Sequence, residues 1–194
     1  MAQHIASIRN SGVTQVSKAD FYSSLVWGDL LFCQGNYAIS KGIEQITKSP
    51  LSHVLMVWLP FPSSEWLTLE ATSDKGVHIG RVADYVDKYN GDLILCRRPQ
   101  LTDDQKLKAL KFGFALLDDK YDARQEAKIV AHKLCHLYPV DASKNEYFCS
   151  GLMQQLGIYE LAPFKTASIP GEMDTPEDIF TDPSVEAVCA LVKS

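Results

Sequence analysis

The sequence predicts an α+β domain in which an antiparallel sheet or small half-barrel packs against helices. Short apolar runs bounded by Pro, Gly, Ser and Asp fill the first hundred residues, whereas apolar positions at steps of three and four dominate after Thr102. Strands that come first and helices that come later do not build a parallel βαβ sheet. The length agrees: 194 residues, 46% hydrophobic and 22% charged, suit one globular domain that buries roughly 70% of its unfolded surface. No repeat, low-complexity tract or Gly/Ser linker divides the chain, so residues 1–194 are read as a single domain.

The first twenty residues are polar and are expected to form a loose arm or a short helix. Gly28 to Gln34 reads as a turn into a strand. Ile39, Ile43 and Ile46 recur at helical spacing, in a helix that Pro50 stops. His53 to Leu59 and Trp66 to Ala71 are apolar runs separated by Pro60-Phe61-Pro62-Ser63-Ser64-Glu65, and Gly76 to Gly80 follows the turn Ser73-Asp74-Lys75-Gly76. These three form an antiparallel meander. Asp92 to Arg97 is a further strand, closed by Pro99.

Thr102-Asp103-Asp104-Gln105 then has the spacing of a capping box. It opens a helix whose stripe Leu107, Leu110, Phe114 and Leu117 is expected to face the core. Asp103, Asp104, Lys106, Lys108 and Lys111 make the solvated opposite side. A second helix is expected over Gln125 to Leu137, and a third from about Tyr147 to Leu156, ended by Gly157. Thr175-Pro176-Glu177-Asp178 starts a short helical turn with a cap and an early proline. Val185 to Val192 fits a strand or a helix, and periodicity does not separate the two.

Charge and composition narrow the function. Nineteen basic against twenty-four acidic side chains give a formal charge of −5, and no basic cluster exceeds Arg97-Arg98. A nucleic-acid partner, which needs a concentrated positive face, is not expected. The longest uncharged stretch within a strand, Val54 to Pro62, is far short of the 18 or so apolar residues of a membrane-spanning helix, so no stable membrane insertion is expected. The N-terminus lacks the pattern of a secretory signal. The five cysteines, Cys33, Cys96, Cys135, Cys149 and Cys189, are odd in number and never spaced as Cys-x-x-Cys. Reduced thiols in a cytoplasmic protein are the expectation.

Phosphate-binding glycine loops, the Gly-x-Ser-x-Gly elbow and the His-Glu-x-x-His zinc motif are absent, and no cofactor or metal is expected. His132 and His136 share a helix face, but position 133 is Lys where a zinc hydrolase places its Glu, and no third ligand follows. One constellation remains. His53 heads a strand, Glu70 lies near the end of the next, and Cys149 starts a helix. A hairpin centred within the 60–65 connection sets His53 directly across from Glu70, close enough for the carboxylate to hold the imidazole. A thiol in the first turn of a helix gains from the helix dipole, and the backbone N–H there can serve an oxyanion. Cysteine, histidine and an orienting carboxylate are the minimum of a cysteine hydrolase. His78 is the rival base, because a turn near Asp74 also brings it beside Glu70. Gln34, just past the first strand, is a candidate second oxyanion donor. Trp58, Trp66 and Tyr85 could line a cleft, although core packing is the commoner use of such residues.

At these residues the sequence resembles a known family. Gly28-Asp29-Leu30-Leu31-Phe32, Ser52-His53-Val54, Leu69-Glu70-Ala71 with Gly76-Val77, Tyr147-Phe148-Cys149-Ser150-Gly151-Leu152 and Thr175-Pro176-Glu177-Asp178 follow the order and approximate spacing of the YiiX-like branch of the circularly permuted NlpC-type papain-like cysteine hydrolases. The resemblance covers residues 28 to about 183. It implies a permuted papain-like fold and an amidase or peptidase with Cys149 as nucleophile, His53 as base and Glu70 as orienting residue. It also implies small peptide, acyl-amide or lipid-like substrates. Relatives that act on lipids make acyl transfer or (thio)ester hydrolysis the alternative, and a silent binding module of the same fold is a third. Where relatives commonly carry an aromatic after a Tyr-Asp pair, this chain has Tyr121-Asp122-Ala123, so Tyr121 is carried over to the substrate side of the cleft with an altered neighbour.

Overall fold

Among the described residues, segments 30–33, 54–57 and 93–96 are apolar on both faces, and the architecture follows from that. The computed structural model describes residues 7–36, 41, 44, 49–58, 64–120, 149–159, 164 and 175–193. After a short 3-10 turn at Ile8–Asn10 the elements are α1 (Lys18–Ser24), β1 (Leu30–Gly35), β2 (His53–Trp58), β3 (Leu67–Thr72), β4 (Gly76–Arg81), a one-turn π-helix (Asp84–Lys88), β5 (Gly91–Arg97), α2 (Asp103–Ala115), α3 (Cys149–Tyr159), α4 (Pro176–Phe180) and β6 (Glu186–Leu191). The six strands make one antiparallel sheet in the order β4-β3-β2-β1-β5-β6. The α+β class and the antiparallel meander are those expected from the sequence. The segment that fitted strand or helix, 185–192, is β6.

Alternate residues of β1, β2, β5 and β6 feed two cores, whereas β3 and β4 feed only the first. Leu30, Phe32, Val54, Met56, Leu69, Ala71, Ile94 and Cys96 pack with Ala109 and Leu110 of α2 and with Leu152, Met153 and Leu156 of α3. On the other face Leu31, Cys33, Leu55, Val57, Leu93 and Leu95 pack with Phe21 and Leu25 of α1 and with Val82 and Val86 beside the π-helical turn. Helices on both faces explain why the strands read as continuous apolar runs instead of alternating with polar residues. Among the described residues no helix is long and apolar enough to cross a membrane.

Three expectations need correction. The described part of the N-terminal segment is not loose. Ile8 is fully buried, and Val16 N–H and the Thr14 carbonyl bond Ala190 of β6, both at 2.9 Å. On α2 the capping box of Thr102 and Gln105 forms as expected, but the buried residues are Ala109, Leu110 and Gly113, while Leu107 and Phe114 are 39% and 37% exposed. The cause is close approach. A Cβ on Gly113 would stand 2.1 Å from Leu69 Cδ2, so Ala109 and Gly113 approach the sheet beside Leu110, the one member of the expected stripe that is buried as predicted. Phe114 instead meets Trp58 edge-on at 5.1 Å. Finally, α3 runs through Gly157 to Tyr159. Gly157 makes room for the Phe164 ring, which a Cβ would approach to 3.1 Å, and does not end the helix. Most of the helix expected around Ile39 to Ile46, and the helix expected over Gln125 to Leu137 with its His132 and His136, lie outside the described residues.

Candidate active site

His53 opens β2, paired across the ladder with Cys33 of β1. The residues leading into it are tightly held. Ser52 N–H donates to the Cys33 carbonyl at 2.9 Å, and Ser52 Oγ accepts from Gly35 N–H at 3.2 Å. Ser49 Oγ donates to Glu177 Oε2 at 2.7 Å, so the buried carboxylate of α4 fixes the approach to the strand. The Thr175 to Asp178 capping box and the proline in the first turn set that helix, as its sequence predicts.

Glu70 arrives from β3, but not directly opposite His53. The β2–β3 ladder pairs Met56 with Leu69, Val57 with Thr68 and Trp58 with Leu67. Continued, it places Leu55 across from Glu70 and His53 two residues along the same face. Side-chain direction repeats every two residues, so a two-residue displacement preserves the face and leaves a diagonal pair within reach of long side chains. His53 Nε2 and Glu70 Oε2 are 3.2 Å apart.

The carboxylate is 2% exposed and is gripped on both oxygens. Thr68 Oγ1 donates to Oε1 at 2.6 Å, and the Tyr85 hydroxyl donates to Oε2 while lying 3.3 Å from His53 Nε2. His78, directly across from Glu70 on β4, has its Nε2 3.9 Å from Oε1 and its Nδ1 3.1 Å from the Gly76 carbonyl. Gly80 leaves the space this arrangement occupies. A Cβ there would stand 2.4 Å from Glu70 Oε1 and 2.5 Å from Thr68 Oγ1.

Cys149, the first residue of α3, is buried in the core that α2 and α3 share with the sheet, and it acts on the His53 imidazole. Burial alone would depress the imidazole pKa, but hydrogen bonding and charge from Cys149, then from Glu70, outweigh it and lift His53 to about 10. Burial likewise opposes the charge on Glu70. His53, Thr68 and Tyr85 prevail there and hold the carboxyl below its ordinary range. Burial, reinforced by the charge on Glu70, keeps the Tyr85 hydroxyl protonated far above its usual limit. Burial also pushes up the Cys33 and Cys96 thiols, and to a lesser degree Cys189, which leaves them inert small core residues.

His53 and Glu70 are therefore brought together, and Cys149 acts on the same imidazole. Gln34 is not joined to them by any described contact; its Oε1 accepts from Ile8 N–H at 2.9 Å and ties the N-terminal segment to the sheet. Tyr121 lies outside the described residues. Tyr85, which its sequence context suggests only for core packing or a cleft wall, stands on the carboxylate. Thr68 and Gly80 carry no sequence signal for a site at all. A cysteine bonded to an imidazole that a buried carboxylate holds can attack a carbonyl and pass a proton to a leaving group.

No protein-family model matches the chain, and no curated protein does. Among solved structures it is similar to a crystal structure described as metalloprotein YiiX from Escherichia coli O157:H7, DUF1105. The TM-score is 0.63 at 17% sequence identity, over 84% of this chain and 96% of that one. The likeness is one of fold, and it extends over nearly all of the neighbour.

Proposed function

We propose that the protein is a cysteine hydrolase with a circularly permuted, NlpC-type papain-like arrangement, cleaving an amide bond in a small peptide or acyl-amide. The observation that carries this reading is the His53 imidazole held 3.2 Å from the buried Glu70 carboxylate, with Cys149 raising the pKa of the same ring. In the reaction the Cys149 thiolate, paired with protonated His53, attacks the carbonyl carbon. The backbone N–H of Cys149 supports the developing oxyanion. His53 then gives its proton to the leaving amine, and a water molecule deprotonated by His53 hydrolyses the thioester. Glu70 does not change protonation; it orients the imidazole and stabilises its charge.

The neighbour is named a metalloprotein. Among the described residues no group of three or more His, Cys, Asp or Glu side chains is arranged to hold a metal ion. His53 Nε2 and Glu70 Oε2 are also committed to each other. The described donors around His53 do not fit a resident metal, and the proposed reaction is written without one.

Replacing Cys149 with Ala should abolish amide turnover on a panel of acylated amino acids and short peptides. It should also abolish the rapid iodoacetamide labelling of the native protein at neutral pH. Full-rate labelling of the Cys149→Ala protein would overturn the proposal. Products formed only by transfer of the acyl group to an alcohol or amine would replace hydrolysis with acyl transfer by the same three residues.

A further inference from the structure

Tyr85 is supplied by the one-turn π-helix at Asp84–Lys88, not by a strand. Single π-turns of this kind are uncommon and cluster at functional sites. Its hydroxyl, Glu70 Oε2 and His53 Nε2 form a closed triangle, and its ring lies nearly parallel to the imidazole, at 13° and 6.1 Å between centroids. The turn is stitched from a distant part of the chain. Lys193, beyond β6, donates its Nζ to the carbonyls of both Tyr85 and Tyr89 at 2.6 Å, and its backbone N–H to Asp92 Oδ1 at 2.9 Å.

We propose that Tyr85 is a positioning residue that fixes the Glu70 carboxylate against His53, and that Lys193 holds Tyr85 in place by clamping the two carbonyls of its turn. This rests on the Cys149, His53 and Glu70 reading and adds the residues through which the rest of the fold sets its geometry. Thr68 holds Oε1 and the Tyr85 hydroxyl adds to His53 a second donor on Oε2, so the carboxylate keeps one orientation even as the imidazole moves its proton. Because Tyr85 keeps its proton across the working range, it is a permanent donor. A hydrogen bond to a carboxylate also lowers its basicity. Without the Tyr85 hydroxyl, Glu70 turns more freely and draws more strongly on the imidazole proton. Among the described residues the titratable and charged groups around this point are Cys33 on β1, His53 on β2, Glu70 on β3, His78 on β4, Tyr89 after the π-turn, Lys193 beyond β6 and Cys149 on α3, with Lys18, Asp87 and Asp92 around Lys193.

The test is the pH profile of Cys149 alkylation by iodoacetamide, read by mass spectrometry of the Cys149 peptide in otherwise intact folded protein. His53→Gln is the reference: if it leaves the profile of the native protein unchanged, the cysteine–histidine reading itself fails. Where His53→Gln does change it, Tyr85→Phe should move the upper, imidazole-dependent limb upward by about half a pH unit. Lys193→Met should act in the same direction, and the double variant should match Tyr85→Phe alone. A Tyr85→Phe profile that superimposes on the native one overturns the role of Tyr85. Full additivity of the two substitutions overturns the clamp. If Tyr85→Phe does not fold, Lys193→Met carries the test, and an unchanged profile there overturns the proposal.

Discussion

Replacing Cys149 with Ala should change His53 more than any other residue. The imidazole stands at about 10 in the folded protein against roughly 6.5 for a free histidine. The difference of about 3.5 pH units corresponds to about 5 kcal/mol of preference for the charged ring, at about 1.36 kcal/mol per unit. Burial opposes that preference, so the partners supply more than the net value. Of the two, Cys149 contributes more than Glu70, through both its hydrogen bond and its charge. Loss of the thiol should therefore lower the His53 pKa by about two pH units, the effect of one close opposite charge in a partly screened site. Glu70 remains to keep it near or above the ordinary value. The assay is the titration of imidazole resonances by nitrogen–carbon-correlated NMR, with His53→Gln identifying the signal among the five histidines of the chain. An imidazole that still titrates near 10 in Cys149→Ala would show that the thiol is not its partner, and the proposed reaction would lose its base.

Three further outcomes follow from the same geometry. The folded His53 pKa lies above the unfolded one, so its stabilising contribution is complete below about pH 6.5 and drains away as pH rises through about 10. Urea melts at pH 6, 8 and 10 should show the advantage of the native protein over His53→Gln shrinking steadily. Gly80→Ala pushes a methyl group against Glu70 Oε1 and Thr68 Oγ1; turnover should fall at least tenfold while the thermal midpoint moves by only a few degrees, and unimpaired turnover would show that the carboxylate tolerates displacement. Gly113→Ala gains at most about 1 kcal/mol of helix propensity but drives a methyl group into buried Leu69, an overpacking that costs about 1–3 kcal/mol. The urea midpoint should fall, and a rise would mean that α2 can lift from the sheet at little cost.

The strands and the meander were legible because turn residues punctuate the chain and apolar runs between them are too short for helices. The His53–Glu70 partnership was legible for a subtler reason. Its register was misjudged by two residues, yet an even displacement keeps both side chains on one face. An odd one would have separated them. What resisted reading depends on distance between elements. The stripe of Leu107, Leu110, Phe114 and Leu117 ranks residues by size, whereas α2 approaches the sheet along Ala109 and Gly113, where size is what must be missing. Gly157 looks like a stop and is a recess for Phe164. Tyr85 could not be assigned, because a π-turn has no sequence signature and its clamp, Lys193, is 108 residues away. For Gln34, nothing in the sequence revealed that its oxygen would accept from Ile8 N–H.

The bonds from Thr14 and Val16 to Ala190 run along the outer side of β6, the last strand of the sheet. An outermost strand ordinarily leaves a row of backbone donors and acceptors that can recruit the same strand from another molecule. Here a few residues lying parallel to Ala190 take up that pairing capacity. Trimming the chain to begin at Ser17 would uncover this rim, and the shortened protein should self-associate at concentrations where the full chain stays dispersed. The N-terminal segment thus works as a seal against strand-by-strand growth of the sheet.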